Sequence, residues 1–115
     1  MTTYEPDAGD LIWVDCSPRV GREQSGRRPA LVLSPIAFCR ASGLAIVCPI
    51  TSRVRPFRSS VVLPAGLPIA GEILSANVRS IDIAARGIAF TGTRVAPAIL
   101  AETRAKVAAL IGLSG

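Results

Sequence analysis

The sequence predicts a mainly β fold, a sandwich or small barrel, finished by one C-terminal α-helix. Short runs rich in Val, Ile and Leu recur up to Arg94, each bounded by Pro, Gly or Ser. Several such strands in so few residues favour a sandwich or a small barrel. From Pro97 onward the apolar spacing changes to that of a helix.

The elements follow in order. "GDLIWVDCSP" predicts a strand over about 10–16, closed by Pro18, and "RPALVLSP" a second over about 29–34, held between Pro29 and Pro35. "GLAIVCPITS" predicts a third over 44–51 and "RSSVVLPAG" a fourth over about 59–63. "GEILSANVRSI" reads as one longer strand, 71–80, and "RGIAFTGTRV" as another over about 86–94. In the tail, Leu100, Thr103, Val107 and Ile111 recur at helical spacing. Pro97 suits a first turn, Glu102 and Lys106 form an i,i+4 pair, and Gly112 ends the helix.

A length of 115 residues points to one domain, residues 1–115. Half of the residues are hydrophobic, more than a monomer of this size needs, so a subunit interface is expected, with Leu100 and Val107 of the helix contributing. No apolar run approaches the roughly 18 residues of a membrane span and no signal peptide opens the chain, so a soluble, cytoplasmic protein is expected. Cys16, Cys39 and Cys48 are too scattered for a metal motif, and histidine is absent. Cys16 and Cys48 read as buried free thiols. The reading therefore calls for no metal and no cofactor. Catalysis, where there is any, falls to carboxylate, guanidinium, hydroxyl or backbone groups.

The formal charge is +5, carried by twelve arginines and a single lysine, Lys106. Arginine offers a planar fork of donors that matches phosphate, so this balance favours nucleic acid or an acidic partner; GC-rich coding bias also trades lysine for arginine. Position separates the two. Arg19, Arg22, Arg27 and Arg28 are expected in the loop between strands one and two, and Arg53, Arg55 and Arg58 in that between strands three and four. Two such loops at one end of a small barrel make an electropositive rim, although loops are also where charge is commonly solvated. Glu23 lies among the first group. Its neighbours would hold its carboxylate ionised, ready to take a proton from a bound hydroxyl or simply to bridge the loop. Thr51 and Ser52 close strand three beside the second group.

With "YEPDAGDLIWVD", "GREQSGRRPALVLSP", "VCPITS", "ANVRSID", "ARG" and "VAPAILAETRAKVAALIG" in order over residues 4–112, the chain resembles the MazF/PemK family of toxins of bacterial toxin–antitoxin systems. The resemblance implies an SH3-like, CcdB/MazF-like small barrel with a C-terminal helix, assembled as a homodimer. It implies sequence-specific, metal-independent cleavage of single-stranded RNA, in which the 2′-hydroxyl attacks the adjacent phosphate and leaves 2′,3′-cyclic phosphate and 5′-hydroxyl ends. By motif position Glu23 resembles the base, Arg28 the group that stabilises phosphate charge or donates a proton, and Thr51 the hydroxyl that orients the phosphate. Arg22, Gln24, Arg27, Ser52, Arg53, Arg55, Arg58, Asn77 and Arg79 are the implied RNA-binding set. The implied partner is a MazE-like antitoxin whose acidic C-terminal tail covers the basic rim. Relatives carry other residues at the places of Arg27 and Arg79, which bears on the RNA sequence recognised. Two other readings compete: a non-catalytic barrel that binds nucleic acid or an acidic peptide, and a gyrase poison of the CcdB type. The latter acts through a C-terminal Trp-Gly-Ile, whereas this chain ends Ile111, Gly112, Leu113, Ser114, Gly115 and its one tryptophan is Trp13.

Overall fold

The computed structural model describes residues 3–16, 26–55 and 59–113. Among them the chain runs β1 (Asp10–Cys16), β2 (Gly26–Val32), α1 (Ile36–Ser42), β3 (Leu44–Thr51), β4 (Ser60–Val62), β5 (Glu72–Leu74), a 3₁₀ turn (Ser75–Asn77), β6 (Arg79–Asp82), α2 (Ile83–Arg86), β7 (Ile88–Arg94) and α3 (Pro97–Leu110). The strands join in one antiparallel sheet, ordered β4-β5-β3-β2-β1-β7, with β6 pairing with β3 as well. The fold is mainly β with a C-terminal helix, as the sequence predicts.

Successive residues of a strand point to opposite faces. Leu11, Leu31, Cys48 and Ile50 enter one apolar cluster, while Ile12, Val14, Ala30, Val32, Ala45 and Val47 enter a second on the other face. Both faces of β1, β2 and β3 are therefore covered, which is why these strands read as continuous apolar runs rather than as alternating ones. Helix α3 covers the first cluster with Ile99, Leu100 and Val107. Thr103, fully buried, satisfies its hydroxyl by donating to the Ile99 carbonyl at 2.8 Å. The Arg104 guanidinium donates twice to the Leu33 carbonyl, at 3.1 and 2.6 Å, and Lys106 reaches both Glu102 at 3.2 Å and the Ser60 carbonyl at 2.7 Å. Leu100 and Val107, expected at a subunit interface, thus pack on the core of their own chain. Ile111 instead stands exposed, one residue past the end of α3.

The N-terminal segment is tied down by buried Asp10, which accepts hydrogen bonds from the Tyr4 hydroxyl, the Asp7 amide (3.0 Å) and Arg94 Nε (2.9 Å). Burial and the bond to Asp10 both push the Tyr4 phenol above its ordinary range. Cys48 is a buried free thiol, pushed up to about 12 by burial; Cys39 is buried and free too, while the Cys16 side chain lies outside the described residues.

Three elements differ from the sequence reading. Strand β2 begins at Gly26 rather than near Pro29, because it pairs with β1 as far as Cys16↔Gly26; Arg27 and Arg28 are therefore strand residues and not loop residues. Helix α1 fills the connection from Pro35 to Gly43, whose αL backbone (φ 76°) ends it by donating to the Cys39 carbonyl. The strand expected over 71–80 is two strands. Ile50 lies opposite Ile73 and Val47 opposite Arg79, so three residues are in excess between them, and the 3₁₀ turn takes them up.

Gly71 makes the approach of β5 to β3 possible. Its φ is +134°, and a Cβ there would lie 2.0 Å from the Thr51 carbonyl oxygen, a backbone atom that cannot step aside. Gly71→Ala is expected to destabilise the fold by about 1–3 kcal/mol or more, through backbone strain and the clash with the Thr51 carbonyl together. Urea unfolding followed by circular dichroism checks this; a variant with the native midpoint would show that β3 and β5 are less closely fitted than described.

Candidate functional site

The sheet opens into a cleft of about 870 Å³ where the ladders of β2 and β3 part company. Strand β2 pairs with β3 only at Ala30–Val32, leaving Gly26–Pro29 paired on the β1 side alone. Strand β3 hands its other edge from β6, which it leaves at Val47, to β5, which it meets at Ile50. Pro29 and Pro49 occupy these interruptions and both line the cleft. A proline has no N–H to give a ladder, so it is tolerated where pairing stops.

Six residues singled out in the sequence meet in this cleft: Arg27 and Arg28 from β2, Thr51 from the end of β3, Ser52 just after it, Asn77 from the 3₁₀ turn and Arg79 from β6. The extra residues of that turn carry Asn77 out to the cleft wall. Thr51 is half-buried and accepts from the Arg53 amide at 3.2 Å, an arrangement that fixes its oxygen and leaves its own proton to donate. Below it, buried Glu72 stands in register with Thr51 and accepts from the Arg55 amide at 2.8 Å, so the segment leaving β3 is pinned on both sides.

Arg53 and Arg55 lie in the connection between β3 and β4, where the sequence places them. Their amides make those bonds, and neither residue lines the cleft. Arg22, Glu23, Gln24 and Arg58 lie outside the described residues.

Among the remaining lining residues, Arg86 and Trp13 carry a charge and an aromatic ring into the cleft. Arg86 ends α2, which is capped by the Asp82 carboxylate on the Ala85 amide (3.1 Å) and closed by Gly87 at φ 64°. Its sequence signal is the "ARG" triplet, an arginine placed directly before a helix-ending glycine. Trp13 lies on β1, with the Arg27 guanidinium 5.7 Å from its ring centroid. Arg27 and Trp13 are diagonal neighbours on one face of the β1–β2 pair, so strand register brings them together.

The lining has a simple electrostatic character. Arg27, Arg28, Arg79 and Arg86 contribute four positive charges, and among the described lining residues there is neither Asp nor Glu. The floor between them is apolar: Val14, Ala30, Val47, Ile50, Ile69 and Ile81. Guanidinium forks around a low-dielectric floor bind an anion more strongly than the same charges on an open surface. A hydroxyl and an amide at the rim add direction to that attraction.

The chain as a whole is similar to known proteins. The model of the family described as "PemK-like, MazF-like toxin of type II toxin-antitoxin system" matches residues 7–111. The endoribonuclease toxin MazF of Escherichia coli (strain K12) is 43% identical over 112 residues, covering 97% of this chain and 99% of that protein. Crystal structures from Deinococcus radiodurans superpose closely. MazF alone (Form-I) gives a TM-score of 0.83 at 43% identity over 96% of this chain and 99% of that one. A MazE–MazF structure (Form-III) gives 0.86 at 40% identity over 96% and 100%.

Proposed function

The chain belongs to the PemK-like, MazF-like toxin family of type II toxin–antitoxin systems, and from that premise we propose that its cleft is the active site of an endoribonuclease toxin cleaving single-stranded RNA. The observation that carries the reading is the meeting of Arg28, Thr51, Arg79 and Arg86, from four separate elements, around one cleft whose described lining holds no carboxylate. We propose further that residues 1–115 form one domain, that it acts in the cytoplasm as a homodimer, and that a MazE-like antitoxin with an acidic tail restrains it. The MazE–MazF neighbours support the antitoxin. No helix among the described residues is long and apolar enough to cross a membrane.

The chemistry suits these groups. The attacking 2′-hydroxyl is already tethered to its phosphate, so the protein has to align it and manage charge. The 2′-oxygen forms a bond to phosphorus as the bond from phosphorus to the 5′-oxygen breaks, giving a 2′,3′-cyclic phosphate and a 5′-hydroxyl. Glu23 takes the 2′-hydroxyl proton, a step worth about 10²–10⁴-fold. Arg28 aims its fork at the phosphoryl oxygens, where charge develops. A water is the better proton source for the leaving oxygen, since a guanidinium with a pKa above about 12 leaves a costly neutral base when it donates. Thr51 donates to the phosphate and fixes its rotation, with Ser52 beside it. Arg27, Arg79, Arg86, Asn77, Arg22 and Gln24 grip the flanking chain. The non-catalytic reading predicts the same binding without cleavage, so the variants below decide between the two.

Arg28→Ala is expected to lose about 10²–10³-fold in single-turnover cleavage, comparable to removing an oxyanion donor, with somewhat weaker RNA binding. Arg28→Lys keeps the charge and loses the fork, so it recovers binding better than turnover. Glu23→Gln is expected to bind RNA as well as the native protein or better while cleavage falls. Native cleavage by folded Arg28→Ala would overturn the site assignment, and native cleavage by Glu23→Gln would leave Glu23 as a loop bridge only.

The salt dependence of RNA binding reports how many guanidiniums touch phosphate. With the four cleft arginines engaged, log K is expected to fall against log[salt] with a slope of roughly −3, and Arg86→Ala to make it shallower by about 0.7. A slope near zero, or one that Arg86→Ala leaves unchanged, counts against a phosphate track along this rim.

A further inference from the structure

The rim accounts for phosphate, but most of the cleft is not rim. Its floor is apolar and far larger than a phosphodiester needs, and Trp13 is its one aromatic residue among those described. Resting on the endoribonuclease reading above, we propose that Trp13 is a stacking platform for one nucleobase of the bound RNA, with Arg27 as its movable cover. The cleft would thus read a base as well as hold the backbone.

Three observations converge on Trp13. Its in-register neighbours on the flanking strands are Pro29 and Ala89, both small, so no large side chain stands beside the indole across either ladder. It sits on β1 between fully buried Leu11 and exposed Asp15 on the same face, which is where the core ends and the cleft begins; the residue is half-buried and packs in part against the first apolar cluster. The group recorded over its ring is the guanidinium of Arg27, an exposed side chain. A cation–π contact with an exposed guanidinium is weak and easily exchanged, so the ring is available to a flat partner when Arg27 swings onto a phosphate.

The chemistry asks for such a platform. Cleavage by a neighbouring hydroxyl needs the 2′-oxygen in line with the leaving 5′-oxygen, a geometry that a stacked strand does not present. The nucleotide at the scissile phosphate must be splayed from its neighbours, and the base so released needs a surface to replace its lost stacking. An aromatic side chain beside a basic track supplies that in single-strand-binding sites, tolerant of sequence in its π-face and selective through the walls around it. The same cleft is lined by Asn77, whose amide both donates and accepts, and by Ser52 with its hydroxyl.

The test uses the full-length protein with homopolymeric 2′-fluoro oligoribonucleotides of each base, which cannot be cut, and an abasic oligomer of the same length and charge. Because Trp13 is the only tryptophan, its emission reports stacking directly. At least one base is expected to quench that emission and to bind about tenfold or more tighter than the abasic oligomer, which leaves emission unchanged. Trp13→Leu, similar in apolar character but without a π-face, is expected to remove that gap while binding the abasic oligomer within about twofold of the native protein; Trp13→Phe keeps part of the gap. Equal binding of base-bearing and abasic oligomers by the native protein, unchanged emission at saturation, or a gap that survives in Trp13→Leu overturns the platform. Should Trp13→Leu fail to fold by circular dichroism, the quenching comparison on the native protein decides alone. Cleavage of all-ribose RNA by the native protein is scored separately: cleavage without quenching sinks the platform alone, and quenching without cleavage sinks the endoribonuclease reading alone.

Discussion

Strand β3 divides its hydrogen bonds among three neighbours, and the cleft exists because of that division. One edge serves β2; the other serves β6 up to Val47 and β5 from Ile50. A strand paired uniformly on both edges would leave no gap, and Arg28, Thr51 and Arg79 would sit in an unbroken sheet. The interruption places them around one opening, each on a strand that the core holds rigid. Groups fixed by strands are positioned more precisely than groups carried on loops, and alignment of a tethered nucleophile demands that precision.

The interruption has local causes. Pro29 and Pro49 withhold donors at the two ladder ends. The 3₁₀ turn absorbs the register difference between β5 and β6 and carries Asn77 outward. Gly71 lets β5 come within contact of the Thr51 carbonyl. Glu72, buried opposite Thr51, holds the departing chain through the Arg55 amide. Its second carboxylate oxygen has no hydrogen-bond partner among the described residues, so burying it is a cost that the Arg55 amide offsets only in part.

Legibility in the sequence followed locality. Strands β1 and β3 were readable to the residue because both faces are buried and turn residues bound them; helix α3 was readable because Pro97, the Glu102–Lys106 pair and Gly112 are all local signals. The break between β5 and β6 was not, since it arises from pairing with β3, distant in sequence, while Glu72 to Ile81 carry a plausible strand pattern throughout. Arg27 and Arg28 were assigned to the loop because pairing with β1, not their own propensity, extends β2 back to Gly26. Helix α1 is only seven residues long and offers little periodicity to detect. Arg28, Thr51, Ser52, Asn77 and Arg79, legible from motif positions, all line the cleft. Trp13 enters the cleft lining by tertiary placement, and Arg86 carries only the short "ARG" signal; Arg53 and Arg55 are not among the lining residues.

The central claim is that guanidinium, hydroxyl and carboxylate groups of this chain turn the RNA 2′-hydroxyl against its own phosphate. The end groups test that most directly. RNA incubated with the purified protein in EDTA, its fragments then examined by mass spectrometry, is expected to carry 2′,3′-cyclic phosphate and 5′-hydroxyl ends. Fragments ending in 3′-hydroxyl and 5′-phosphate, or cleavage only when Mg²⁺ is restored, would contradict the account.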